Sequence, residues 1–132
     1  MVGALVDGAT VDAALATART AAVERGVPVP VRETLAVVGD RSAVTLATDG
    51  DAVDLLETAL HEGVPAADVE EATVAAVSRG GAAGALGAVA GAVAGARHGR
   101  ASVPARWHND LDRTPEDLAA LAAGLAASPP RS

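Results

Sequence analysis

The chain has 132 residues, a formal charge of −7, half of its residues apolar, no Cys, and one Trp as its only aromatic side chain. That length suffices for one domain with a core, while the lack of Cys excludes a disulfide framework and a thiolate metal site. An acidic chain whose cations are all Arg, with a single aromatic ring, has neither the basic funnel nor the stacking platform of a nucleic-acid binder.

The core material is 34 Ala and 18 Val, with no Phe, Tyr or Ile. Small side chains bury little area each, at about 25 cal/mol per Å². Close backbone approach must therefore hold the fold, and Trp107 is the only large anchor in the composition. The first ten residues, MVGALVDGAT, carry no basic run and place Asp7 early, so they do not read as a signal peptide; the expected location is cytoplasmic.

In chain order, Asp7 or Thr10 is placed to cap a helix over 11–25 that stops at Gly26. Its apolar positions Val11, Ala14, Leu15, Ala18, Ala22 and Val23 keep helical spacing. Pro28 and Pro30 predict an extended connector over 27–31, since each restricts the residue before it. Residues 32–38 read as a short helix, with a strand as the alternative given Val37 and Val38. Gly39-Asp40 and Thr48-Asp49-Gly50-Asp51 are turn chemistry, and SAVTLAT between them is ambiguous by period. A helix starts at Asp51, shows Val53, Leu56 and Leu60 on one face, and ends at Gly63. Pro65 is expected to open the next helix, with Asp68, Glu70 and Glu71 near its positive end.

The stretch 79–99, RGGAAGALGAVAGAVAGARHG, has no charge between Arg79 and Arg97. An all-round apolar helix predicts burial. Gly84, Gly87, Gly91 and Gly95 each cost about 1 kcal/mol against Ala in a helix interior, so neighbours must pack against them. Gly87, Gly91, Gly95 and Gly99 recur every fourth residue and form one smooth stripe. Residues 80–96 are 17 uncharged positions, at the lower limit for a membrane span, but with little beyond Ala, Gly and Val they read as a buried helix rather than a membrane one. After Gly99, Pro104 opens a short helix bearing Trp107, and Thr114-Pro115-Glu116-Asp117 starts the last helix, which fades into SPPRS.

Chemistry-bearing residues are sparse. Asp49, Asp51 and Asp54 lack calcium-loop spacing and read as turn and cap residues. His61, His98 and His108 are isolated, and no Ser has a nucleophile-elbow context. Arg79, Gly80 and Gly81 precede a helix and form a weak candidate for binding an anion.

Residues 80–107, GGAAGALGAVAGAVAGARHGRASVPARW, resemble the C-terminal signature of the ADP-ribosylglycohydrolase family. That signature reads G-G-D-x-D-T, an Ala/Gly-rich helix with a G-A-x-x-G-like turn, then I/V-P-x-x-W. The alignment is gapless through Gly80-Gly81, the small-residue helix and Val103-Pro104-Ala105-Arg106-Trp107. DVEEATVAAVSRGG resembles the acidic helix leading into the glycine pair, and LVDGATVDAAL is similar to an earlier helix start. The resemblance implies an all-α fold, removal of ADP-ribose from modified molecules, and two magnesium ions. The ions would be held by a Thr-Asp-Asp-Thr-type motif and by the Asp and Thr residues of G-G-D-x-D-T. Here those latter places are Ala82, Gly84 and Ala85, and magnesium demands oxygen ligands that a methyl group or a hydrogen cannot supply. Thr48-Asp49-Gly50-Asp51 faintly echoes the first motif, about thirty residues before the glycine pair, and is read as coincidence.

The expectation is an all-α compact bundle of about six helices around a buried Ala/Gly-rich helix, one domain over 1–127 with a disordered tail over 128–132. No catalytic residue, metal ligand or cofactor is assigned; Gly87, Gly91, Gly95, Gly99, Pro104 and Trp107 are packing residues. The function implied is a catalytically silent scaffold for protein interaction or assembly, because helices that pack on the family's N-terminal half would expose apolar surface here. A homo-oligomer or a dedicated partner follows, with no nucleic acid or membrane. The alternatives are the C-terminal half of a split enzyme, or a binder of ADP-ribose or a nucleotide without turnover.

Overall fold

The computed structural model describes residues 1–38 and 46–129, which form seven α-helices and two 3-10 turns with no strand among the described residues. The helices are α1 (Val2–Val6), α2 (Val11–Glu24), α3 (Val29–Val37), α4 (Ala52–Gly63), α5 (Val69–Ser78), α6 (Ala83–His98) and α7 (Pro115–Ala127); the 3-10 turns are Arg100–Ser102 and Ala105–Asp110. The all-α class is as expected. The short α1 was not anticipated.

Helix starts follow side-chain capping. Thr10 Oγ1 accepts from the Ala13 N–H at 3.2 Å, so Thr10 caps α2, while Asp7 ends α1. Asp51 Oδ1 accepts from the Val53 and Asp54 N–H groups at 2.8 and 3.1 Å and starts α4. Thr114 and Asp117 exchange bonds in a capping box, with Pro115 in the first turn of α7.

Three proline readings are corrected. The 27–31 segment is not an extended connector throughout: Pro28 is the N-cap of α3 and Pro30 lies inside its first turn. Amides there have no helical partner, so Pro is tolerated and its fixed φ suits the helix. Pro65 does not open α5, which begins at Val69 because Asp68 supplies the cap. There Asp68 Oδ1 accepts from the Glu71 N–H at 2.8 Å, and Glu71 Oε2 accepts from the Ala67 N–H at 2.6 Å. Pro104 likewise sits just before its 3-10 turn, which starts at Ala105. The Gly39-Asp40 turn, positions 42–45 of the ambiguous stretch and tail residues 130–132 lie outside the described residues.

The core falls into three clusters. Leu5, Ala14, Leu15, Val38, Leu60, Val64 and Val93 join α1 to α4 with α6. Ala59, Ala76, Leu86 and Ala90 join α4, α5 and α6. Ala66, Val69, Ala72 and Ala94 form the third, with Val103 and Trp107 packed against it. Leu60 and Leu86 are the largest apolar side chains fully buried; Trp107 is half-buried at the rim, so it covers a cluster rather than anchoring the core.

α6 is not buried all round. Leu86, Gly87, Ala90, Val93 and Ala94 face the other helices, whereas Gly84, Ala85, Ala88 and Ala92 are exposed. The glycine stripe lies against α5. A methyl built on Gly87 would stand 2.7 Å from Val77 Cγ2, one on Gly91 3.0 Å from Thr73 Oγ1, and one on Gly95 3.9 Å from Val69 Cγ2. Residues 69, 73 and 77 are a four-residue ridge on α5 running against the stripe on α6. Gly99 leaves this role: it ends α6 with φ +81° and nothing close to it. No helix among the described residues is long and apolar enough to cross a membrane.

Candidate functional site

The corner where α6 begins is built from two segments distant in sequence. Gly80 and Gly81 have φ of +79° and +56°, which reverse the chain between α5 and α6 and which side chains rarely adopt. The Ala82 N–H then donates to the Thr48 carbonyl at 2.9 Å. Gly81 is covered so closely by this loop that a methyl there would collide with Thr48 O and lie 2.7 Å from Asp49 Oδ1.

The covering loop, 46–51, is held from the other side by α4. Thr58 is fully buried, and its hydroxyl donates to the Ala47 carbonyl at 2.6 Å. Asp51 spends one carboxylate oxygen on two backbone N–H groups at the start of α4. The echo at Thr48-Asp49-Gly50-Asp51 is thus beside the glycine pair in space, because α4 and α5 return the chain to its starting point.

Of the three weak ligand candidates, Arg79 turns toward α4. Its Nε–H donates to Glu62 Oε1 at 2.7 Å, and its Nη2 donates to the same oxygen. Glu62 is only 13% exposed, so the pair fastens the end of α5 to the end of α4. Gly81 lies under the 46–51 loop, and the side of Gly80 where a methyl would stand is open. The three neighbours in sequence therefore face three different surroundings.

The following turn, Ala82 to Ala85, presents methyl groups, a bare Gly84 with nothing within 4 Å of a built Cβ, and backbone. Among the described residues no group of three His, Cys, Asp or Glu side chains is arranged to hold a metal ion. The donor set at this corner does not fit a magnesium pair, which needs several hard oxygen ligands in near-octahedral geometry.

At its far end α6 is tied down by polar contacts. Arg97 Nη1 donates to the carbonyls of Val64 and Ala66 at 2.8 and 3.2 Å, and His98 Nε2 lies 2.8 Å from Ala66 O. Beyond it, Arg106 pairs with Glu70 and stacks over the Trp107 ring at 5.8 Å from its centroid. His108 lines the hollow beside α7 with Val103 and Leu111.

Sequence reasoning missed Thr58 and Gly63. Thr58 is a polar residue in the apolar run of α4, and such a side chain needs a partner when buried. Gly63 ends α4 as its sequence predicts, but it also has a packing role that the stop signal does not show: a methyl there would stand 2.8 Å from Ala90 O and 2.9 Å from Ala90 Cα. It marks the contact of two backbones.

The sequence model of the ADP-ribosylglycohydrolase family covers residues 1–131, far beyond the 28 residues of the signature. No curated protein and no solved structure matches the chain.

Proposed function

The chain belongs to the ADP-ribosylglycohydrolase family, and from that premise we propose that it is a catalytically silent member, retained as a helical module for protein interaction or assembly. One observation carries the reading: where the family signature has two Asp and a Thr, this chain has Ala82, Gly84 and Ala85. The reading is supported by the surroundings, where among the described residues no three His, Cys, Asp or Glu side chains are grouped to hold a metal ion. Asp51 is engaged in capping α4, and the Thr48 carbonyl accepts from Ala82. No step of hydrolysis is assigned to any residue here.

The interaction role draws support from α6. Gly84, Ala85, Ala88 and Ala92 form an exposed, nearly smooth face, continuous with an apolar hollow lined by Leu55, Leu56 and Val89. Monomers rarely leave large apolar patches uncovered. The same face supports a second reading, in which a separate chain bearing the Thr-Asp-Asp-Thr half covers it and supplies the missing oxygen ligands.

Calorimetric titration with ADP-ribose, with and without magnesium, separates the silent module from a nucleotide binder, and hydrolysis of an ADP-ribosylated substrate by this chain mixed with a Thr-Asp-Asp-Thr-bearing chain would establish the second reading. The silent module gives no heat of binding in either buffer. Saturable binding independent of magnesium would point to a nucleotide binder without turnover, and binding that requires magnesium would overturn the proposal.

A further inference from the structure

We propose that the hollow beside α7 is a binding site for a small amphipathic acid, a monocarboxylate with a short apolar tail. The site is separate from the corner at Gly80-Gly81 and does not depend on whether that corner is silent.

The hollow holds about 280 Å³ between the 3-10 turns and α7. Liquid water occupies about 30 Å³ per molecule, so the space matches a ligand of roughly nine non-hydrogen atoms, smaller than a drug. Its walls are apolar, with Val103 and Leu111 on one side and Leu118, Ala119 and Ala122 of α7 on the other. Water finds few partners there, and a hydrocarbon chain displaces it with a gain of about 25 cal/mol per Å² buried. Pro115 and Ala122 both line the hollow and stand seven residues apart on α7. At about 1.5 Å per residue the trough is about 10 Å long, the reach of an extended chain of about eight carbons.

The polar groups give the ligand its sign and direction. Arg100 lines the hollow and lies 3.4 Å from Glu116, the neighbour of Pro115, which places its guanidinium at the end of the trough where α7 begins. His108 lines the same hollow, and an imidazole keeps an N–H donor in either charge state. No acidic side chain is among the lining residues. Glu116 meets Arg100 from outside the hollow, 76% exposed, and so exposed a pair contributes little. A ligand carboxylate replaces that contact with a charge-assisted bond to the guanidinium. An alkylamine sets a cation against Arg100, and an alkanol offers it no charge.

Trp107 is the only aromatic side chain, precedes His108, and packs with Val103 against one core cluster, so its emission reports filling of the hollow. The chain is titrated with octanoate, octanol and octylamine at neutral pH, below micelle-forming concentrations, by Trp fluorescence and by calorimetry. Octanoate should bind saturably in the micromolar to millimolar range, octanol about ten-fold more weakly, and octylamine not at all. Arg100→Gln should weaken octanoate about ten-fold and leave octanol unchanged, whereas Glu116→Gln should tighten octanoate several-fold. Ala122→Phe, which fills the trough, should abolish both. Absence of saturable octanoate binding by both methods overturns the site. Equal binding of octanol, or octanoate binding indifferent to Arg100→Gln, overturns the ligand class.

Discussion

Gly87, Gly91 and Gly95 look equivalent in the sequence, four residues apart on one helix, but the space beside them widens along α6 from 2.7 to 3.0 to 3.9 Å. Replacing Gly by Ala gains about 1 kcal/mol of helix propensity, and the clearance decides whether that gain survives. Gly95→Ala should stabilise the protein by up to about 1 kcal/mol, Gly91→Ala should be near neutral, and Gly87→Ala should destabilise by about 1 kcal/mol as the stiff Val77 is displaced. Gly84→Ala, on the open face, should stabilise like Gly95→Ala. Gly63→Ala must push apart the backbones of α4 and α6 and should cost roughly 2 kcal/mol or more. Urea unfolding midpoints of the five variants give the order, and a uniform effect would refute the graded contact. Thr58 is the polar counterpart: Thr58→Val leaves the Ala47 carbonyl without its donor and should cost about 1–3 kcal/mol.

At the scale of elements, the starts of α2, α4 and α7 were legible because Thr10, Asp51 and Thr114 act within three residues of themselves. Local chemistry of that kind survives in any tertiary setting. Proline was misread at 28–30 and 65 because the same ring permits an extended strand, a turn or a first helical turn, and the choice rests with neighbours. The burial of α6 was half legible. Composition showed that its surface is smooth, but which side would be covered depends on α1, α4 and α5, which all lie toward Leu86, Ala90 and Val93. The corner at Gly81 was legible in its parts and not in their meeting, since the approach of Thr48 to Ala82 follows from the lengths of α4 and α5. α7 offers a test of local control. With no buried residue, its helicity depends on its cap, so Thr114→Ala should lose about 1 kcal/mol of helix stability. Amide exchange over 116–127 should then speed up while α6 stays protected.

The whole molecule is a small-residue bundle whose helices approach closely on one side of α6 and leave the other side smooth and exposed. A charge placed on that face, as in Ala88→Glu, should leave the urea midpoint within about 0.5 kcal/mol of the parent. The same change should weaken self-association or partner capture through that face, read by light scattering at micromolar concentration. The chain keeps the all-helical class of its family, and on the proposed reading Ala82, Gly84 and Ala85 stand where the signature it resembles carries oxygen-bearing side chains. The most direct test is uptake of manganese, as a spectroscopic substitute for magnesium, followed by electron paramagnetic resonance during titration of the purified chain. The account predicts that the free-ion signal rises in proportion to added metal, with no saturable binding up to millimolar concentration. Stoichiometric uptake of one or two ions per chain, abolished by Asp49→Ala or Asp51→Ala, would contradict it.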